Sequence, residues 1–101
     1  MSAASSSVQI EEGAQGSVRV SGALTFASAA SALDAISSAV ARDDRDTLDL
    51  AGVTRSDSAG LACVLAVLAK AAAQGRRLTV RNMPEGMHVL ASVCEVEGLI
   101  A

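Results

Sequence analysis

Apolar and polar residues alternate in two short segments near the start of the chain and then adopt a helical spacing. The segments Val8–Glu11 and Val18–Val20 alternate over a few positions, which predicts a β-hairpin. Between Ser28 and Arg42 the period becomes helical, and Thr25 or Ser28 is available as the N-cap. The apolar face of this first predicted helix consists of Ala29, Leu33, Ile36 and Val40.

The second half of the chain alternates strands with helices. The segment Thr47–Val53 is rich in β-branched residues and leucine, which is typical of a central strand. A helix is predicted from Ser58 to about Gln74, with Gly75 as its C-terminal cap, and a strand over Arg77–Asn82 follows. A third helix then ends at Gly98, and its apolar stripe is Met87, Leu90, Ala91 and Cys94.

This order, ββαβαβα, predicts an α/β fold: a mixed sheet of about four strands with three helices. Strands that alternate with helices pair in parallel, and the hairpin adds an antiparallel portion. A chain of 101 residues has room for one domain, so residues 1–101 are expected to form one, with residues 1–7 as a flexible polar tail.

Composition and charge argue against several classes of function. The formal net charge is −3 and the chain has one Phe with no Trp or Tyr, so it lacks both the basic surface and the stacking platforms of a nucleic-acid binder. The first residues show no basic region followed by an apolar stretch, so we expect no secretory signal, and the longest apolar run, Ala59–Ala69, is too short to cross a bilayer. We therefore expect a cytoplasmic protein whose two cysteines are reduced.

Motifs for catalysis are missing from the sequence. It contains neither of the glycine-rich phosphate-binding patterns G-x-x-x-x-G-K-[ST] and G-x-G-x-x-G. The single histidine, His88, falls on the polar side of the third predicted helix without a nucleophile beside it. Together with Cys63 and Cys94 it matches no common zinc spacing. We expect no catalytic residue, metal or cofactor.

The second predicted helix is unusual because both of its faces are apolar. One face has the spacing of a core stripe and consists of Leu61, Val64, Leu65 and Leu68. The opposite face carries Ala59, Cys63, Ala66 and Val67. Either a neighbouring helix covers this second face or another protein does, and we favour the second interpretation because so small a domain has little material for a second cover.

Asp57 and Ser58 precede this helix, and both residue types are N-caps. A hydroxyl at a helix start is exposed, so Ser58 is also a candidate partner contact. A phosphate on Ser58 would meet free N–H groups and the positive end of the helix dipole, although the Asp57 carboxylate would repel it. Capping alone does not decide between a contact and a phosphorylation switch.

These motifs resemble a known family. The segments DLAGV at 49–53 and DSAGL at 57–61, the apolar helix after them, the pair Gln74-Gly75 and the following strand and helix are similar to the STAS domain. This is the fold of anti-sigma-factor antagonists and of the cytoplasmic tails of sulphate transporters. The resemblance extends from about Val18 to Leu99.

The stretch from Val53 to Leu99 is closest to the MlaB branch, the small STAS subunits of the Mla phospholipid-transport ABC complex of Gram-negative bacteria. LAVLAKA in the helix, QGRRL at the strand entry and NMP before the last helix carry this likeness. It implies a non-catalytic cytoplasmic subunit that docks on the ATPase subunit, and through it on the permease, at the inner membrane. Ser58 occupies the position of a Ser or Thr important for docking.

The same position is the phosphorylated serine of the anti-sigma-factor antagonists, so the resemblance leaves an alternative. In that alternative the partner is an anti-sigma-factor kinase, and phosphorylation of Ser58 is the switch. Ala62 stands where many antagonists have a second glycine, which favours the transporter branch.

Overall fold

A computed structural model describes residues 8–13, 16–41 and 45–100 of the chain. The described strands are β1 (Val8–Glu12), β2 (Ser17–Leu24), β3 (Thr47–Ser56) and β4 (Thr79–Arg81). They form one sheet in the order β1-β2-β3-β4. The β1/β2 pair is antiparallel, whereas β2/β3 and β3/β4 are parallel. The predicted mixed sheet with an antiparallel hairpin is therefore confirmed.

Helices connect the parallel strands, as the sequence predicts. They are α1 (Ala29–Val40), α2 (Ser58–Ala73), α3 (Glu85–Val93) and a short α4 (Glu97–Ile100). The ββαβαβα order is confirmed, with α4 as an addition. No helix in the described part of the chain combines the length and the apolar character that crossing a membrane requires.

One face of the sheet carries the core. Leu48 and Leu50 of β3 are buried, whereas Asp49 between them is only half-buried, as expected of a strand with one face packed and one face open. The helices cover the packed face. The fully buried large side chains are Leu24, Ile36, Leu48, Leu50, Met87, Val18, Val20, Val64 and Val67.

The open face of the sheet carries a row of alternating charges, one from each strand. Glu11 pairs in register with Arg19, Arg19 with Asp49, and Asp49 with Arg81. A hydrogen bond of 2.9 Å from the side chain of Asn82 is the main reason why the pKa of Asp49 lies below its ordinary value, and both arginines lower it further. This face is therefore polar and internally balanced.

The predicted end of the third helix is wrong. That helix stops at Cys94, where Glu95 takes the left-handed conformation (φ 60°) and the N–H of Val96 bonds to the carbonyl of Ala91 at 2.9 Å. Glu95 thus fills the role that the sequence assigned to Gly98, which instead lies inside α4. The exposed Cys94 is also not part of the core stripe, because it lies past the last turn.

The polar tail expected at residues 1–7 lies outside the described residues. Just before β3, Arg45 forms an ion pair of 2.7 Å with Glu12. The strand boundaries also shift, because β3 continues to Ser56 and β4 contains only three residues.

Candidate functional site

The candidate site is the start of α2, where Asp57 is the N-cap. Its backbone is extended (φ −142°, ψ −168°), and its Oδ1 accepts the N–H groups of Ala59 at 3.0 Å and Gly60 at 3.1 Å. These two N–H groups are among those that a helix leaves without internal partners. The capping role predicted for Asp57 is confirmed. Ser58 is the first helical residue and forms no side-chain cap among the described hydrogen bonds.

The same carboxylate also binds a distant loop. Its Oδ2 accepts the backbone N–H of Phe26 at 3.1 Å, so Asp57 joins the β2–α1 connection to the first turn of α2. This hydrogen bond is the main reason why the pKa of Asp57 lies below its ordinary value, and the bonds from Gly60 and Ala59 act in the same direction. The carboxylate is therefore ionised at neutral pH and holds two segments in a fixed relation.

Gly60 allows the two segments to approach so closely. A Cβ atom at position 60 would lie 2.2 Å from the carbonyl oxygen of Leu24, which is the last residue of β2. Backbone atoms cannot make room as a flexible side chain can. The first turn of α2 is thus packed directly against the carboxyl end of β2, and the residue there has to be glycine.

Two side chains project from this junction into solvent. The Ser58 side chain is exposed, and its hydroxyl makes no hydrogen bond to any described residue. The ring of Phe26, the only Phe in a chain without Trp or Tyr, is 84% exposed. An exposed aromatic ring and an exposed hydroxyl, on two segments that Asp57 joins, offer a partner both apolar area and one directed hydrogen bond.

An apolar stripe extends from Ser58 along α2. Its members are spaced at three or four residues and share one side of the helix. We call the following residues the outer stripe: Ser58, Ala62, Leu65, Ala69 and Ala73. All are exposed except Leu65, which is half-buried.

The predicted outer face of α2 is only partly correct. Cys63 is 5% exposed and Val67 1% exposed, so both lie in the core and their assignment to an outward face is wrong. Burial also raises the pKa of the Cys63 thiol. Ala59 and Ala66 are half-buried and lie between the core and the outer stripe.

Relative to the prediction, α2 is rotated about its own axis, so a different side of the helix faces the sheet. The sheet lies below α2, α1 contacts one flank, and α3 with α4 contacts the other. Cys63 and Val67 face inward, whereas Leu65 and Leu68 of the predicted core stripe are only half-buried. Because α2 is apolar almost all round, its periodicity does not define which side faces the sheet.

Phe26 is a further candidate functional residue, which the sequence analysis did not identify. It follows β2 directly, in a connection whose position relative to α2 depends on the Asp57 contact 31 residues away. One signal was available, since this is the only aromatic residue of the chain and it stands next to a strand end rather than within an apolar run.

The chemistry of the site is that of recognition. Its groups are a capping carboxylate, one hydroxyl, one aromatic ring and small apolar side chains. The described residues contain no group of three or more His, Cys, Asp or Glu arranged to hold a metal ion. His88 is exposed on α3, and both cysteines are free.

Comparisons with known proteins give a consistent result. The family described as "Mlab, STAS domain" matches residues 7–101. No curated protein matches the chain at a significant level.

Solved structures supply the fold relatives. The unphosphorylated anti-sigma factor antagonist SpoIIAA has a TM-score of 0.58 at 18% identity, over 91% of this chain and 99% of that chain. The phosphorylated Bacillus cell fate determinant SpoIIAA has a TM-score of 0.65 at 18% identity, over 94% and 89%. Mglu has a TM-score of 0.54 at 28% identity over 76% of this chain, but only 19% of its own. The likeness to SpoIIAA shows a shared fold.

Proposed function

The chain belongs to the MlaB type of STAS domain, and from this membership we propose that it is a non-catalytic subunit of an ABC phospholipid-transport complex of the Mla type. In this role it docks on the ATPase subunit from the cytoplasmic side, supports assembly and activity, and is held at the inner membrane through its complex. The complex maintains the lipid asymmetry of the outer membrane.

The observation that carries the proposal is the hydrogen bond from the backbone N–H of Phe26 to Asp57, which joins the exposed Phe26 to the start of α2, where the exposed Ser58 begins the outer stripe. Asp57 thereby fixes the two backbone segments relative to each other, so less backbone freedom is lost when a partner binds. Small side chains along the rest of the outer stripe allow the partner to approach the helix backbone. Aromatic residues are enriched in protein–protein interfaces.

Co-purification from membranes of the native host tests the proposal. A tagged chain is expected to recover an ABC ATPase together with its permease. Recovery of a soluble anti-sigma-factor kinase without those subunits would instead support the alternative, in which the protein is an anti-sigma-factor antagonist.

Variants of the docking surface make this experiment specific. Phe26→Ala and Ala62→Glu are expected to abolish recovery of the ATPase, since the first removes the aromatic anchor and the second adds a charge to the outer stripe. Ala35→Glu is the matched control, because Ala35 is equally exposed but lies on α1. Equal binding by all three variants would contradict the assignment of the surface.

Ser58 distinguishes the two functions. If Ser58 is a neutral contact, the Ser58→Thr variant keeps the hydroxyl and still binds the partner. The Ser58→Ala variant loses one hydrogen bond and binds the partner more weakly by about 1 kcal/mol, or roughly five-fold. Ser58→Asp adds a charge beside Asp57 and weakens binding further. Intact mass of the protein purified from its own host is the second measurement, and a stoichiometric phosphate on Ser58 would favour the antagonist.

A further inference from the structure

A groove lies at the other end of α2, away from Phe26 and Ser58. Its volume is about 430 Å³, and it runs between the last turns of α2, the entry to β4 and α4. Its aliphatic lining comes from Leu68, Ala72, Leu78, Leu99 and Ile100. Leu99 is 70% exposed, so an apolar side chain at this groove remains in contact with water.

The two arginines at the groove have different roles. The guanidinium of Arg76 donates to the carbonyls of Val40 and Arg45, which holds it against the body of the domain. Arg77 is exposed and has neither a hydrogen bond nor an ion pair with any described residue. The groove therefore combines aliphatic walls with one cation that has no partner among the described residues, which suits a ligand with an anionic and an aliphatic group.

We propose that this groove binds an extended segment of a partner protein in which an acidic residue stands next to an aliphatic one. The carboxylate pairs with Arg77, and the aliphatic side chain packs against Leu68 and Leu99. Thr79, the first residue of β4, lines the same groove and donates its own N–H to the carbonyl of Asp46 at 2.9 Å. Among the described strands β4 is an edge strand, and its open side is offered by the next residue, Val80. An extended chain has backbone groups that can pair with such an edge.

The shape of the groove favours a peptide over a lipid acyl chain. A buried acyl chain needs an enclosed and mainly apolar channel, whereas this groove is open and has two arginines and a threonine in its lining. The groove lies far from Phe26 and Ser58, because α2 has 16 residues and is about 24 Å long. It adjoins only the last members of the outer stripe, Ala69 and Ala73, so a segment in the groove leaves the Phe26 end of that stripe accessible.

Nuclear magnetic resonance of the full, nitrogen-15-labelled chain tests the proposal. The probes are the capped peptide EDLVE and its neutral counterpart QNLVQ, each titrated to millimolar concentration. EDLVE is expected to shift the amide resonances of Ala72, Leu78, Thr79 and Leu99. QNLVQ is expected to bind about two- to five-fold more weakly, since it lacks the charge that pairs with an exposed arginine.

Two charge reversals provide the matched comparison. Arg77→Glu is expected to weaken EDLVE binding by about ten-fold or more, whereas Arg81→Glu, on the open face of the sheet, leaves it unchanged. Thermal melts confirm that both variants are folded.

Three results would overturn the proposal. The first is that EDLVE shifts none of these amide resonances. The second is that QNLVQ binds as tightly as EDLVE. The third is that Arg77→Glu and Arg81→Glu weaken EDLVE binding to the same extent. Anionic lipid vesicles that shift these resonances where EDLVE does not would assign the groove to lipid instead. None of these results depends on the ATPase, so the proposed function is tested separately.

Discussion

The two ends of α2 are both tied to distant segments by a charged side chain, but they differ in what they leave exposed. At the start, the anionic Asp57 accepts the N–H of Phe26 and leaves the ring and the Ser58 hydroxyl in solvent. At the other end, the cationic Arg76 donates to the carbonyl of the last residue of α1 and to a carbonyl that precedes β3. Each charge has the sign that the helix dipole favours at its own end.

The two ends of α2 are therefore expected to have different roles: the Asp57 end in partner binding and the Arg76 end in stability. Asp57 is exposed and arranges exposed groups, so its loss is expected to act mainly on binding. Arg76 is half-buried and joins three parts of the chain, so its loss is expected to act mainly on stability. The helix is thus one rigid element whose ends can be altered independently.

The largest expected effect comes from the glycines at the two ends. Gly60→Ala places a Cβ 2.2 Å from the backbone of Leu24 and is expected to destabilise the fold by about 3 kcal/mol or more, since neither backbone can yield cheaply. Gly75→Ala has open space but a φ of 73°, so it is expected to cost only about 1 to 2 kcal/mol. Urea unfolding measures both. Equal losses would show that the start of α2 is not closely packed.

A pair of leucines one turn apart tests the rotation of α2. Leu61 is 5% exposed, so Leu61→Ala is expected to lower the free energy of unfolding by about 2 to 5 kcal/mol. Leu65 is half-buried, so Leu65→Ala is expected to lower it by only about 1 kcal/mol. Binding should show the reverse order, because only Leu65 belongs to the outer stripe. If Leu65→Ala is the more destabilising variant, the helix is rotated from its described position.

Substitutions of the neighbouring Arg76 and Arg77 test how the C-terminal end of α2 contributes to stability. Arg76→Ala removes charge-assisted hydrogen bonds to two carbonyls and is expected to cost about 2 to 3 kcal/mol. Arg77→Ala is expected to change the free energy of unfolding by less than about 0.5 kcal/mol, because its side chain is exposed. Comparable losses from the two substitutions would mean that Arg76 does not bridge α1 and β3.

Acidification has the smallest expected effect and acts at the start of α2. Because the pKa of Asp57 is lowered in the folded state, chiefly by the N–H of Phe26, the unfolded chain binds more protons between the two pKa values. The Asp57 contribution is complete above the unfolded value of about 3.9 and is lost as the pH falls through the lower folded value.

Resonances of Phe26 report this acid transition directly. They are expected to shift as the Asp57 carboxylate becomes protonated. Asp57→Asn is expected to abolish the shift, whereas Asp49→Asn, on the open face, is expected to preserve it. A transition that survives Asp57→Asn would assign the titration to another group.

Local sequence rules predicted much of this molecule. The hairpin, the alternation of strands with helices, the Asp57 cap and the left-handed Gly75 are confirmed, because each depends on residues close together in the chain. The MlaB-type STAS resemblance is also confirmed over residues 7–101.

Long-range contacts account for what the sequence did not predict. The inward placement of Cys63 and Val67 depends on α1, α3 and α4 together, and the position of Phe26 depends on Asp57. The end of α3 was missed for a different reason, since Glu95 adopts a left-handed conformation that non-glycine residues seldom take. Partner binding by Ser58, Ala59 and Ala66 stays a prediction.

The exposed ring of Phe26 also determines how the protein can be observed. Without Trp or Tyr, the chain has almost no near-ultraviolet absorbance or fluorescence of its own. Its one phenylalanine, Phe26, is exposed at the proposed contact. Replacing that ring by indole, as Phe26→Trp, would create one fluorophore against a dark background. Any change in its emission on mixing with a Trp-free partner fragment would then report that surface alone, without a covalent label.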